Sequence, residues 1–237
     1  MALIIPTLMY HSVDQHSYDY LTVSTGQFAR QIEHLASNYQ VVTVRSICQF
    51  LRGEAQMPPR PVLITFDDGL KDNIDWALPV LERSQASAVF FIISSYLGAD
   101  NSWDHKAPRI VPHMTDADVR ALQGAGYEIG NHTLTHQRLS KLPDETLARE
   151  FNASHAFLTG LLDSPPVAFS YPYGDADDRS QALCRSLYPF GFATVRQGCF
   201  DWSVAPANIR RIYVSPEDSP AALDQKIACY LEQTQHG

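Results

Sequence analysis

Residues 62–69 read Val-Leu-Ile-Thr-Phe-Asp-Asp-Gly, an apolar run that ends in two carboxylates and a turn residue. Residues 127–136 read Tyr-Glu-Ile-Gly-Asn-His-Thr-Leu-Thr-His, in which a second short run is followed by two histidines. Runs rich in β-branched and aromatic residues that are bounded by turn residues are typical of strands. Both segments therefore predict a strand that carries ionisable side chains at its carboxyl end.

Strand and helix patterns alternate along the rest of the chain. In the stretch 24–38, for example, Phe28, Ile32 and Leu35 fall on one helical face. About eight strands alternate with helices in this way, which predicts an α/β fold with a parallel sheet and helical crossovers. No glycine-rich phosphate loop follows the first strand, so we favour a closed or partly open barrel over an open doubly wound sheet.

Size and charge limit the class of protein. The chain has 237 residues, 45% of them apolar, which suits one substantial core and a single domain over residues 1–237. Its net charge of −8 argues against a nucleic-acid partner or an anionic membrane surface. We find no pattern typical of a transmembrane span.

The N-terminus and the cysteines bear on location. Residues 1–6 have no positive charge ahead of their apolar run, so we interpret them as leading into a first strand and not as a signal peptide. The four cysteines are scattered and are expected to be free thiols. Both features favour the cytoplasm; a periplasmic or secreted location would follow if a signal had been removed from a longer precursor.

The ends of the predicted strands collect polar residues. His11 follows the first strand, Asp67 and Asp68 the third, and His132 the fifth. In a parallel barrel these ends meet at one face, where chemistry takes place. Two imidazoles and a carboxylate can hold a metal with open positions for water and substrate.

The two motifs leave some geometry open. His132 and His136 can face one ion through either a helical turn or a tight turn. Asp67 and Asp68 are adjacent, so their side chains diverge. One can reach the metal while the other serves as a base for the attacking water.

These residues resemble the motifs of the polysaccharide deacetylases, carbohydrate esterase family 4. Residues 65–69 match the family's first motif, residues 131–136 match the second, and residues 171–174, Tyr-Pro-Tyr-Gly, resemble the third. The resemblance extends from about Leu8 to Val214. It implies a distorted TIM-like (β/α)7-8 barrel and metal-dependent removal of acetyl groups from N-acetylated sugars.

The resemblance also implies residue roles. Asp68, His132 and His136 would bind the metal, Asp67 would be the catalytic base, and the backbone N–H of Tyr173 would stabilise the oxyanion. Zinc is the expected ion, although nickel, cobalt and iron use the same donors. The oligomeric state is not determined by the sequence.

The sequence departs from the family pattern in two places. Ser170 stands where an arginine usually holds the base, and the late Leu-x-His motif, the usual source of the general acid, is absent after Ile209. Tyr10-His11 on the first strand and Arg211 on the last match a variant within the family. The sequence thus resembles the surface-polysaccharide type of deacetylase more than the chitin or peptidoglycan type.

The variant suggests substitutes for the missing groups. We expect His11 to protonate the leaving amine and Arg211 to orient Asp67. The alternatives are a structural histidine bonded to a carbonyl and a structural ion pair. Trp103 and Asp104, in the long segment 94–114, are candidates for sugar binding, and Tyr173 is a third. A tryptophan that plugs the barrel rim is the alternative for Trp103.

Three functions remain to be separated. The leading one is an amide hydrolase that acts on an N-acetylhexosamine in a polysaccharide or a glycan precursor. The same metal site could serve an O-acetyl esterase or an amidase of small cyclic amides. A barrel that binds glycans without catalysis is the third.

Overall fold

The computed structural model describes residues 2–104 and 109–233. Its strands are β1 (Thr7–Tyr10), β2 (Ser12–Asp14), β3 (Thr22–Ser24), β4 (Gln40–Val41), β5 (Pro61–Phe66), β6 (Val89–Ile92), β7 (Glu128–Asn131), β8 (Phe169–Ser170), β9 (Gly191–Phe192) and β10 (Ile212–Tyr213). Its α-helices are α1 (Thr25–Asn38), α2 (Val44–Leu51), α3 (Leu78–Arg83), α4 (Asp116–Gly124), α5 (Asp144–Leu161), α6 (Asp178–Leu187) and α7 (Pro220–Glu232). Among the described residues, no helix combines the length and the apolar character that a membrane span requires.

Eight of the strands form one parallel sheet that curls into a barrel. The strand order is β10-β1-β5-β6-β7-β8-β9, and β4 pairs with the beginning of β5. The two ends of the sheet meet because Ile209, shortly before β10, exchanges hydrogen bonds with β9: its N–H donates to the Gly191 carbonyl and its carbonyl accepts from the Ala193 N–H, both at 2.8 Å. The predicted distorted barrel is therefore confirmed.

Residues of β5 alternate between two buried environments because successive side chains of a strand point to opposite faces. Ile64 packs in a cluster with Phe28 of α1, between the sheet and the helices. Leu63 packs with Phe91 in a second cluster, inside the barrel. Asp67 continues the face of Leu63, so its carboxylate emerges at the carboxyl end of the barrel interior.

The sequence predicts one kinked helix over residues 73–84, and the structure divides this stretch in two. A π-helical turn, Asn73–Ala77, precedes α3, and the Leu78 N–H donates to the Asn73 carbonyl five residues earlier. Pro79 explains the division, because it has no N–H to donate and its ring crowds the preceding turn.

Candidate metal centre and active site

Ionisable side chains from three strand ends meet in one cavity of about 300 Å³. Asp67 and Asp68 follow β5, His132 and His136 follow β7, and His11 follows β1. All five residues line the cavity. The structure thus brings together residues that are up to 125 positions apart, at the face where parallel barrels carry their chemistry.

Asp68, His132 and His136 form a group that could hold a divalent metal ion. The Asp68 Oδ1 atom lies 3.4 Å from the Nε2 atoms of both histidines. One ligand atom from each residue lies within 4.8 Å of the other two. Asp68 Oδ1 is buried and has no hydrogen-bond partner among the described residues, which is the expected state of an atom placed to bind a cation. The donor set of one carboxylate and two imidazoles suits a catalytic metal with open positions.

The ring of His132 is oriented by a hydrogen bond on its far side. Its Nδ1–H donates to the Ser170 carbonyl at 2.7 Å, which leaves the Nε2 lone pair facing Asp68. Burial acts to lower the pKa of His132, but the carboxylates of Asp67 and Asp68 outweigh burial and raise it.

The ring of His136 is neutral at ordinary pH. Burial is the largest influence and lowers its pKa to about 3, despite the nearby Asp68 carboxylate. A neutral imidazole has a free nitrogen lone pair, so His136 needs no proton loss before it binds a metal.

The two histidines face Asp68 through a tight turn and not through a helix. Thr133 and His136 have φ angles of +70° and +58°, in the left-handed region. The side chain of Asn131 accepts from the Thr133 N–H at 2.8 Å, and the Thr133 hydroxyl accepts from the His136 N–H at 2.9 Å. The turn therefore bends back on itself within four residues.

Asp67 is held by a buried ion pair with Arg211. The Arg211 Nη1 atom lies 2.8 Å from Asp67 Oδ1 and the Nη2 atom 2.6 Å from Oδ2, a two-pronged geometry. Both residues are at most 3% exposed. Burial acts to raise the pKa of Asp67, but the Arg211 guanidinium and His132 more than offset it, so the pKa is lowered and the carboxylate stays ionised.

His11 and Tyr173 lie at the wall of the same cavity. The backbone of His11 is anchored because its carbonyl accepts from the Asn73 side chain at 2.8 Å. Its buried Nδ1 atom has no hydrogen-bond partner among the described residues. Tyr173 has a φ of +60°, and its ring centroid lies 4.8 Å from that of His136.

Trp103 lies next to the metal group, against the ring of His136. Its ring stacks on Tyr96 at 5.6 Å and lies 4.4 Å from the ring of His136. Its Nε1–H donates to His113 Nε2 at 3.1 Å. Trp103 is partly exposed and, with Asp104, lines both this cavity and a neighbouring one of about 480 Å³. It therefore forms part of the rim and also presents a surface to the cavity.

Comparisons with known proteins agree with this geometry. The family model described as "Polysaccharide deacetylase" matches residues 54–188. The chain belongs to the polysaccharide deacetylase family. The predicted family is therefore confirmed.

Individual relatives of this polysaccharide deacetylase are distant in sequence. The YxkH protein of Bacillus subtilis is 28% identical over 220 residues, 92% of this chain and 74% of that protein. The poly-beta-1,6-N-acetyl-D-glucosamine N-deacetylase of Staphylococcus aureus is 24% identical over 176 residues, 73% of this chain and 61% of the staphylococcal protein. The deacetylase PplD of Streptococcus pyogenes, solved with acetate, superposes with a TM-score of 0.83 at 22% identity and covers 96% of this chain and 99% of its own.

The serine that departs from the polysaccharide deacetylase pattern is part of the same network. Ser170 Oγ lies 2.9 Å from Arg211 Nη2 and 3.3 Å from Asp67 Oδ2. The guanidinium that grips Asp67 comes from the segment that closes the barrel, and Ser170 leaves room for it. The structure places Arg211 within hydrogen-bond distance of Asp67, the residue that we expect it to orient.

Sequence reasoning missed two buried residues near this polysaccharide deacetylase site. Glu150 accepts hydrogen bonds from the turn between the two histidines. The sequence could have indicated the role of Glu150, because this glutamate lies between Leu147 and Phe151 on the apolar face of α5. His113, the partner of Trp103, lies in the long segment 94–114, and its sequence context carries no comparable indication.

Proposed function

We propose that this polysaccharide deacetylase is a metal-dependent hydrolase that removes N-acetyl groups from N-acetylhexosamine residues of a polysaccharide or a glycan precursor. One observation carries the proposal. A buried, ionised carboxylate, Asp67, is clamped by Arg211 next to the Asp68–His132–His136 group. That combination offers a base beside a group that can hold a cation, an arrangement suited to activating water for attack on an amide.

The metal group and the base have separate tasks. Asp68, His132 and His136 would hold a divalent ion, zinc by expectation, which would supply Lewis acidity for the activation of water and of the acetamide. Asp67 accepts the proton of the attacking water, and Arg211 keeps the carboxylate ionised and correctly turned. Because Asp67 lies beside Asp68 on the chain, the base and the ligand are held in one fixed relation.

Residues of the cavity wall carry out the remaining steps. His11 donates a proton to the leaving amine, and its place in the wall of the cavity supports this assignment. The backbone N–H of Tyr173 stabilises the negative oxygen that forms on the acetyl carbon. Trp103 and Asp104 bind the sugar, since an aromatic face next to a polar group suits a pyranose ring.

The shape of the cleft supports a glycan substrate longer than one sugar. The cavity of about 300 Å³ opens into the neighbouring cavity of about 480 Å³, and both include His11, Trp103 and Tyr173 in their walls. The staphylococcal relative is named for a polymer of N-acetyl-D-glucosamine. We therefore expect oligomers of N-acetylglucosamine to be better substrates than the single sugar.

Acetate release from defined substrates tests the proposal. The zinc-loaded protein is assayed on β-1,6-linked N-acetylglucosamine oligomers and, as the O-acetyl alternative, on acetylated xylan. We expect acetate and free amine from the oligomers, and none from the Asp67→Asn variant. Preference for xylan would assign the site to an O-acetyl esterase. Release of no acetate from either substrate would contradict the proposal and favour a barrel that binds glycans without catalysis.

A further inference from the structure

The turn between the two histidine ligands cannot hold its shape through its own backbone. Thr133 is β-branched and His136 is bulky, yet both adopt left-handed φ angles, which are unfavourable for such residues. The four residues Thr133–His136 form no regular helix or strand. The Thr133 hydroxyl satisfies the His136 N–H, and groups outside the turn must satisfy the remaining polar backbone atoms and keep the turn in this conformation.

A single buried side chain satisfies the middle of the turn. Glu150 Oε2 accepts from the N–H of Leu134 at 3.0 Å and from the N–H of Thr135 at 2.8 Å. Glu150 Oε1 accepts from the Thr135 hydroxyl. The carboxylate is only 3% exposed, so water does not readily replace it.

The packing of its helix holds Glu150 in place. It lies on α5, an 18-residue helix whose buried face includes Leu147, Phe151 and Leu158. From the opposite side of the turn, the N–H groups of Ser94 and Ser95 donate to the carbonyls of Thr133 and Leu134 at 3.2 and 3.0 Å. The turn is thus held between a helix and the start of the long segment 94–114.

We propose that Glu150 is a positioning residue of the metal centre, which sets the distance and angle between the imidazoles of His132 and His136. Leu134 and Thr135 lie between these two residues in the chain. Rotation of their peptide planes would move one ring relative to the other and to Asp68. Groups that orient metal ligands from outside commonly change metal affinity by about 10–100-fold when they are removed.

The same molecule contains a matched control. Glu128 is 2% exposed and accepts from two consecutive backbone N–H groups, those of Val44 at 2.7 Å and Arg45 at 2.8 Å. It lies at the amino end of β7, whereas His132 follows the carboxyl end. Its chemistry matches that of Glu150, but among the described residues its carboxylate accepts hydrogen bonds from the start of α2 and not from the histidine turn.

The test compares Glu150→Leu with Glu128→Leu. Binding of Zn²⁺ alone is measured by competition with a coloured chelator, and the visible absorption spectrum of the Co²⁺ form reports the ligand geometry. Urea unfolding of the metal-free proteins measures the general loss of stability. We expect both variants to unfold at lower urea, but only Glu150→Leu to bind Zn²⁺ about 10–100-fold more weakly and to alter the Co²⁺ spectrum.

Two milder variants keep the test decisive if Glu150→Leu does not fold. In Glu150→Gln the amide oxygen can still accept from both N–H groups, and the amide NH₂ can donate to the Thr135 hydroxyl. This variant is expected to bind Zn²⁺ nearly as well as the natural protein. Glu150→Asp withdraws the carboxylate by one methylene and is expected to bind Zn²⁺ more weakly.

Two results would overturn the proposal. One is unchanged Zn²⁺ affinity and Co²⁺ spectrum in Glu150→Leu, or in Glu150→Asp if the first does not fold. The other is an equal loss of Zn²⁺ affinity in Glu128→Leu. The proposal rests on the proposed metal function, but its measurements do not use turnover. If Glu150→Leu weakens Zn²⁺ binding as expected but the natural protein releases no acetate, only the proposed reaction is contradicted.

Discussion

Removal of the Arg211 side-chain charge should show how much the buried ion pair contributes to the stability of the protein. Arg211 is 1% exposed and donates to both oxygens of Asp67, to the hydroxyls of Thr65 and Ser170, and to the Ala193 carbonyl. Arg211→Met keeps much of the side-chain length and leaves no donor. Asp67 would then be a buried carboxylate without its counter-ion.

The expected loss of stability is large. Breaking a buried ion pair by removing one partner destabilises a protein by about 3–5 kcal/mol. A loss of about 4 kcal/mol corresponds to roughly a thousandfold change in the folding equilibrium. Domains are typically stable by about 5–15 kcal/mol, so the variant should fold but unfold at much lower urea.

The dependence on pH has a definite sign. In the natural protein the pKa of Asp67 is lowered, so its contribution to stability is present above the unfolded-state pKa and is lost as pH falls through the folded-state pKa. In Arg211→Met, burial raises the pKa of Asp67 without an opposing guanidinium. At neutral pH the buried, unpaired charge of Asp67 then lowers the stability of the variant. The variant regains stability when Asp67 takes up a proton. The stability difference should therefore be largest near neutral pH and should narrow in acid.

Urea unfolding of the metal-free proteins at about pH 7 and about pH 4 measures this difference. Arg210→Met is the matched control, because Arg210 is partly exposed and stacks 4.7 Å above the ring of Phe200, away from Asp67. We expect the control to lose far less stability than Arg211→Met. Equal losses in the two variants, or a difference that does not change with pH, would refute the reasoning.

Three further outcomes are expected of the site. Asp67→Asn should release no acetate yet titrate with zinc nearly normally, whereas His132→Ala should lose both properties; full activity in Asp67→Asn would exclude it as the base. Removal of the metal by a chelator should lower the melting temperature, with about 2.7 kcal/mol of stability regained at a zinc concentration a hundredfold above Kd. Trp103→Ala should raise KM for N-acetylglucosamine oligomers more than it lowers kcat, as steady-state kinetics would show.

Local sequence predicted much of the metal site. Strand patterns end at Asp67 and Asp68 in one segment and just before His132 in another, and parallel barrel strands carry their carboxyl ends to one face. These facts suffice to bring the three proposed ligands together. They do not say how the chain turns between His132 and His136, because both a helical turn and a tight turn give the same spacing.

The order of elements, the barrel and the identity of the ionisable groups at its mouth can all be predicted from the amino-acid sequence. Local sequence does not choose between Arg210 and Arg211, since neighbouring residues of a strand point to opposite faces and a shift of one residue exchanges them. The family resemblance favoured Arg211, and the tertiary structure adds the two-pronged contact that its guanidinium makes with Asp67. It also decided that Glu150 of α5 reaches the histidine turn. Periodicity along a chain reports which face of an element is buried, but the partner of a buried charge depends on how distant elements pack, and this information is not local.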